Sequence, residues 1–229
     1  MSADDLIRQM HAYYRDCAPW HDDYMSYTDN ASMEALLGPI IDLIEVDLVG
    51  KRILELACGT GNWTQVLAKR AGSVLATDTH RSSIDLALAK TYESPHVEFR
   101  VANAYRLSDF IGPEDGPFQV VFAADWWSHM PKSLIPGFLD RLHTHLVPGA
   151  TVIMLDMTPK DSLIMPDSYY DDEGNYIHPR TLPNGKQYFV VKNFPSEQEL
   201  YAVVSPRGSQ IEYHENHPLR RWLLKYVVA

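Results

Sequence analysis

The residues best spaced for chemistry are Leu54-Glu55-Leu56-Ala57-Cys58-Gly59-Thr60-Gly61-Asn62-Trp63, an apolar run ending in two glycines one residue apart. A strand that runs into a glycine turn at a helix start brings backbone N–H groups to a ligand with no Cβ in the way. Asp78 follows 17 residues after Gly61, at the end of the next apolar run. Nucleotide-binding α/β folds place there the carboxylate that accepts the ribose hydroxyl protons. Together these residues predict an adenosine-bearing ligand. Its charge is also legible. The third glycine of a dinucleotide fingerprint is Thr64 here, and Glu55 sets a carboxylate just ahead of the turn, where pyrophosphate would be repelled. A cationic ligand without phosphate fits this pattern better than NAD does.

The same stretch resembles the first motif of the class I S-adenosylmethionine-dependent methyltransferases, an acidic residue followed by a glycine-rich turn. S-adenosylmethionine (SAM), with its ammonium and sulfonium, is the cofactor the resemblance implies. Asp78 then matches the family's ribose-binding acid, and Asn103-Ala104 stands where Asp-Ala is usual after the third strand. An asparagine oxygen can accept a hydrogen from the adenine amino group as an aspartate does. Tyr13-Tyr14-Arg15-Asp16-Cys17-Ala18-Pro19-Trp20-His21-Asp22 resembles the aromatic-rich lead-in of small-molecule members, which implies cofactor contact by Tyr14. His21 replaces a second tyrosine there and passes that contact to Trp20 or to itself. The implied cofactor set is Tyr14, Trp20, Glu55, Ala57, Gly59, Gly61, Asn62, Asp78, Thr79, Asn103, Ala104 and Ala124. Glu55 has a second reading, as a buried carboxylate that orients the loop.

Ala124-Asp125-Trp126-Trp127-Ser128-His129-Met130-Pro131 follows the fourth strand and resembles a stretch in which a histidine faces the methyl acceptor. His129 is the candidate general base. Transfer from a sulfonium needs little beyond proximity and alignment, and a base matters only where the acceptor must lose a proton. The alternative for His129 is an imidazole that caps the next helix or bonds a neighbouring strand. Trp126 and Trp127 cannot both point inward, so one packs in the core and the other walls the pocket. Tyr169, Tyr170, His178 and Arg180 either line a lid over the acceptor or belong to a solvated or dimer-forming hairpin. No metal is expected, because Asp156 is followed by Met157 rather than by the asparagine of a carboxylate metal site.

The elements that must position these residues follow from the pattern. Strands are expected at Arg52–Leu56, Val74–Thr77, Val97–Val101, Phe118–Ala123 and Thr151–Leu155, alternating with helices near Asn62–Ala71, Ser82–Tyr92 and Lys132–Leu146. Ala3–Tyr14 and Ser32–Val49 read as helices packed on the core. An Asn184-Gly185 turn joins strands at Arg180–Leu182 and Lys186–Lys192. Ser196 with Glu199 makes a capping box, and Gln210–Glu215 and Trp222–Val228 are the last strands. The predicted fold is α/β: a doubly wound, seven-stranded, mainly parallel sheet with an antiparallel last strand, N-terminal helices and an inserted β-hairpin. One domain spans 1–229, with a helical cap at 1–50 and the hairpin or lid at 157–195.

Composition narrows the function. With 20 basic against 30 acidic residues and a net charge of −10, phosphate neutralisation is opposed and nucleic acid is a poor partner. No apolar run approaches a membrane span, and Asp4, Asp5, Arg8 and Asp16 interrupt the apolar stretches of the first thirty residues, which predicts a cytoplasmic protein; the two cysteines lack metal-ligand spacing and are expected to be thiols. The expected partner is a small-molecule acceptor, methylated on oxygen or nitrogen, with a homodimer compatible with the hairpin. Two other readings remain at this level, an NAD(P)-dependent oxidoreductase and a non-catalytic SAM-binding module. Whether SAM or NAD raises the melting temperature separates the first of these from a methyltransferase.

Overall fold

A computed structural model describes residues 3–20, 30–94, 96–159 and 167–229 of the chain. Its centre is β1 (Arg52–Leu56), whose Ile53, Leu54, Glu55 and Leu56 are buried, as expected of a parallel strand covered on both faces. β1 pairs in parallel with β2 (Ser73–Asp78) on one side and β4 (Phe118–Ala124) on the other, Leu54 lying opposite Leu75 and Val121. β3 (Val97–Val101) and β5 (Leu146–Met157) extend the sheet outward, and β10 (Arg221–Val228) adds antiparallel to β5, placing Trp222 beside Asp156. With β9 (Gly208–Asn216) the seven-stranded order is β3-β2-β1-β4-β5-β10-β9. The strand order reverses between β1 and β4, and open α/β sheets form their ligand crevice outside the strand ends at such a point.

Helices cover both faces because each offers one apolar stripe. α2 (Asn30–Leu48), α3 (Asn62–Ala68) and α4 (Arg81–Leu88) bury Leu37, Ile41, Ile44, Val66, Leu67 and Ile84 with Ile53 and Phe122. On the opposite face α5 (Ile135–His143) and α6 (Glu197–Val204) bury Phe138, Leu139, Leu142, Leu200 and Val204 against Leu54, Val121 and Val152. Ser196 caps α6 in the expected capping box with Glu199.

Three features differ from the sequence reading. α3 and α4 end three and four residues earlier than expected, and a 3-10 turn at Lys132–Leu134 precedes α5, whose start Pro136 is suited to occupy. The inserted hairpin is a three-stranded antiparallel sheet, β6 (Tyr169–Tyr170), β7 (Tyr176–Thr181) and β8 (Gln187–Val191). α1 (Ala3–Cys17) packs on this small sheet rather than on the main one: Leu6, Met10, Tyr13 and Cys17 share a separate core with Ile177, Val190 and Val191. Periodicity shows that α1 has an apolar stripe, but not which of two apolar surfaces receives it.

Buried amides tie the small sheet to the main one. Asn193 donates from its backbone to Ser128 O (2.7 Å) and from Nδ2 to Met130 O (3.0 Å) and Asn175 Oδ1 (3.1 Å), while its Oδ1 accepts from Tyr176 N (2.9 Å). Asn175 Oδ1 also accepts from Lys132 N. Asn193→Leu keeps the volume but strands the Tyr176 N–H and the Met130 carbonyl, each an unmet buried group costing about 1–3 kcal/mol. Denaturant unfolding is expected to show a loss of about 2–4 kcal/mol. A loss within experimental error would mean that the two sheets are not joined through this residue.

Candidate active site

At the carboxyl end of β1 the chain turns through left-handed backbone at Ala57 (φ 50°), Gly59 (φ 55°) and Gly61 (φ 82°). Cys58 N–H bonds Thr77 O (2.9 Å) and Gly61 N–H bonds Cys58 O (3.0 Å), which locks the turn to β2. The two glycines do different things. A Cβ on Gly59 would meet nothing within 4 Å, so that position opens onto free space. A Cβ on Gly61 would overlap Tyr92 Oη and press on Ala87 Cβ at 3.0 Å. Gly61 therefore permits the close packing of α3 on α4. The turn lines a deep cleft that also takes in Ala57, Asn62, Asp78, Thr79, Asn103, Ala104, Ala124 and His129, with Tyr14 of α1 among its walls.

Asp78 ends β2 and lines this cleft with its carboxylate held from behind. Gly59 N–H donates to Oδ2 (3.0 Å) and His80 N–H to Oδ1 (2.8 Å). His80 Nδ1 also lies 3.3 Å from Oδ1, and a carboxylate has lone pairs beyond the two taken by these backbone bonds with which to accept hydroxyls. His80 packs against His11 of α1, ring centroids 5.4 Å apart, so the N-terminal helix roofs the carboxylate. Asn103 lines the cleft, but its Oδ1 already accepts from Tyr105 N (2.9 Å) and so caps the turn at Ala104–Asp109. Asn62 is likewise engaged, accepting from Lys90 Nζ at 2.7 Å and donating to Thr60 Oγ1 at 3.1 Å.

Glu55 is 1% exposed and stands behind the turn rather than in the cleft wall. Its Oε2 accepts from Thr64 Oγ1 (2.6 Å), and burial pushes its pKa up to about 8. This is the geometry of the second reading, a carboxyl that orients the loop. Trp20 is 37% exposed and is not among the described side chains of the cleft wall. His21 lies outside the described residues.

On the other wall, Trp126 faces the cleft and stacks edge-on with Phe138, whereas Trp127 is buried and packs at right angles to Trp222. Asp125 takes left-handed backbone and pairs with Arg221. His129 lines the cleft and is bonded at both nitrogens: Nδ1 to Val191 O of β8 (2.7 Å) and Nε2 to Tyr14 Oη (2.7 Å). Burial, reinforced by Lys192, holds its pKa down to about 3. The sequence reading offered a general base or an imidazole bonding a neighbouring strand; the bond to Val191 of β8 has the geometry of the second, and the Tyr14 phenol occupies Nε2. Of the insertion residues, His178 is buried, and Tyr169 and Tyr170 are exposed.

Sequence reasoning missed several residues. His11 and His80 could have been suspected only from a histidine two places after Asp78. Tyr105 and Asp125 carry no motif signal of their own. The support under His129 was also unseen: Asp156, fully buried, accepts from Ser128 N–H (2.8 Å), Ser128 Oγ (3.0 Å) and Met157 N–H (2.7 Å), and Lys192 Nζ lies 3.3 Å away. Lys192 Nζ also bonds Ser128 Oγ at 2.7 Å. The Lys192 charge favours the carboxylate, and the Asp156 pKa is lowered despite its burial.

The cleft fits SAM. Its described lining holds two carboxylates, Asp78 and Asp125, and neither lysine nor arginine, which suits a ligand with two positive centres and no phosphate. Asp78→Ala removes two charge-assisted hydrogen bonds worth about 1.5–3 kcal/mol each. Calorimetric titration is expected to show SAM affinity reduced at least about tenfold; unchanged affinity would place the ribose elsewhere. The two glycines should separate. Gly59→Ala, costing about 1–2 kcal/mol for left-handed backbone, is expected to keep the fold and weaken SAM binding. Gly61→Ala is expected to lower the melting temperature further, through Tyr92 and Ala87. Equal melting temperatures would show that Gly61 has no packing role.

Residues 53–149 match the family model described as a methyltransferase domain. The chain is 32% identical over 115 residues to the demethylmenaquinone methyltransferase of Lactococcus lactis subsp. lactis, covering 48% of this chain and 43% of that one. It is 31% identical over 121 residues to the magnesium-protoporphyrin O-methyltransferase of Rhodobacter capsulatus, covering 52% and 50%. The matched region thus spans about half the length of these curated relatives. Among solved structures, a DhpI–SAM–HEP complex superposes with a TM-score of 0.77 at 27% identity, covering 99% of both chains. A DhpI complex with SAH, S-adenosylhomocysteine, gives 0.78 at 25% identity, covering 100% of this chain and 99% of the other. With the glycine turn and Asp78 at the strand ends of the β3-β2-β1-β4-β5-β10-β9 sheet, residues 53–149 match a methyltransferase domain, and the chain as a whole shares the Rossmann-like fold of the SAM- and SAH-bound DhpI structures.

Proposed function

We propose that this protein transfers a methyl group from SAM to an oxygen or nitrogen of a small-molecule acceptor. The observation that carries the reading is the charge of the cleft: a backbone-held Asp78 at the end of β2 and no described lysine or arginine in the lining, the second carboxylate, Asp125, being paired with Arg221. The curated relatives are named for quinone and porphyrin substrates, which supports a small molecule as acceptor. When bound, the cofactor supplies an electrophilic methyl group on a sulfonium.

The chain's own residues bind, orient and exclude water. Asp78 accepts the ribose hydroxyls, the Gly59 side of the turn leaves room for the methionyl part, and Asn103 to Tyr105 border the adenine. α1 closes the cleft with Ile7, Met10, His11 and Tyr14, and Trp126 walls the side on which an acceptor would lie. Alignment of this kind is worth about 7–11 kcal/mol. A general base adds about 10²–10⁴-fold, and most when its pKa lies near the working pH. His129, held near 3 by burial, is neutral throughout the physiological range and only weakly basic.

The reading is tested by thermal shift and by turnover. SAM and SAH are expected to raise the melting temperature and NAD to leave it unchanged. Transfer of labelled methyl from SAM to phenolic and amine acceptors should follow with at least one class, and stabilisation by NAD alone would overturn the proposal. The pH profile carries a separate expectation. With the His129 pKa near 3, turnover should show no histidine-dependent acidic limb between about pH 5 and 8. A limb near the ordinary histidine pKa of about 6.5 that disappears in His129→Ala would make His129 a titrating base after all.

A further inference from the structure

Tyr14 sits on α1, yet its hydroxyl meets the imidazole of His129, 115 positions further along the chain. The polarity of this contact is fixed from its far end. The Val191 carbonyl has no hydrogen to give, so its 2.7 Å bond to His129 Nδ1 requires the hydrogen on Nδ1. The ring is neutral, kept so by burial and by Lys192. A neutral ring protonated at Nδ1 offers only a lone pair at Nε2, so Tyr14 must donate across the second 2.7 Å bond. A phenol has one hydrogen, and here it is committed. What Tyr14 Oη turns to the cleft is lone pair alone. Burial raises the Tyr14 pKa well above the ordinary phenol value, so the group is a neutral phenol and not a phenolate.

We propose that Tyr14, aimed by His129, is a specificity-determining residue that reads charge, favouring the sulfonium of SAM over the neutral thioether of SAH. The inference rests on the methyltransferase reading above. The two compounds differ by one methyl group and one positive charge, and an oxygen that can only accept is attracted to that charge. The same oxygen with its hydrogen turned inward would oppose it. Asp78 and Asp125 also favour a cation, but they are common to every variant compared and cancel in a ratio. Val191 reaches His129 from β8 and Tyr14 reaches it from α1, so the small sheet and the N-terminal helix set the polarity of a wall they build together. Such a wall would help the spent cofactor to leave.

Calorimetric titration of the purified chain with SAM and, separately, with SAH tests this without turnover. Tyr14→Phe removes the oxygen and little else. The ratio of SAM to SAH affinity is expected to fall about tenfold, the scale of one charge-assisted hydrogen bond, with SAH affinity changed less than about twofold. His129→Leu leaves Tyr14 in place but frees its hydrogen, and the same ratio should fall in that variant too. Circular dichroism should confirm a native fold for both. An unchanged ratio in Tyr14→Phe, or an equal loss for both compounds, would overturn the inference and leave Tyr14 as packing. A ratio lowered in Tyr14→Phe but not in His129→Leu would remove His129 from it. If the unaltered chain binds neither compound, the methyltransferase reading fails first and this inference falls with it.

Discussion

The arrangement of the site depends on one buried charge. Asp156, at the end of β5, is wholly out of solvent, and a carboxylate there is tolerable only because it is fully bonded. Ser128 gives it two hydrogens, Met157 N–H a third, and Lys192 supplies the opposite charge. Ser128 begins the residues that carry His129, and Lys192 follows directly on β8, whose last residue, Val191, holds the His129 ring. A single carboxylate thus joins β5, the turn after β4 and the small sheet. Breaking a buried pair of this kind by removing one partner costs about 3–5 kcal/mol, so the register of β8 against the His129 turn is strongly specified.

The opposite wall of the cleft is preorganised by different means. Asp78 is oriented by backbone N–H groups of Gly59 and His80, and the turn by hydrogen bonds to β2 and by Glu55 behind it. Burial, together with the nearby charge of Asp78, raises the Glu55 pKa to about 8. A mostly protonated Glu55 leaves Asp78 as the member of the pair that lines the cleft. This explains how two acids can flank one loop: one works as a charge in the cleft and the other as a hydrogen-bonded strut.

How much of this was legible in the sequence follows from what each kind of signal encodes. Leu54 to Gly61 and Asp78 announced the turn and a carboxylate at the end of β2 because their spacing is set by local geometry, a strand of fixed rise and a turn that needs left-handed backbone. The alternation of strands and helices gave the main sheet for the same reason, and the pair Trp126-Trp127 divided as expected, one inward and one to the cleft, although both lie in the turn beyond β4. The identity of α1's partner was not legible, since Leu6, Met10, Tyr13 and Cys17 specify a stripe and not the surface that receives it. Gly61 was read as ligand space although its Cβ position faces Tyr92 and Ala87, because a glycine needed for helix packing and one needed for ligand approach look alike in a motif. The Asp156, Ser128 and Lys192 cluster draws on three distant segments whose meeting no spacing rule foretells.

His129 shows how a correct residue can acquire a different chemistry once its surroundings are known. From sequence it is a histidine at the carboxyl ends of the strands, where a base is useful. In the structure both nitrogens are committed, one to a carbonyl and one to a phenol, and Lys192 lies near enough to disfavour an imidazolium. A base of such low affinity accepts a proton only from a group already made strongly acidic, as a hydroxyl oxygen becomes once a methyl group has joined it; an alkylated amine stays far less acidic and keeps its proton until it meets solvent. On the proposed methyl transfer, the larger share of the rate would come from alignment between α1, the glycine turn and Trp126, since about 7–11 kcal/mol is available from position against about 3–5 kcal/mol from a well-matched base. A fold that spends a buried carboxylate, a buried lysine and two sheets on holding one imidazole still has gained something from it, namely a phenol that cannot turn.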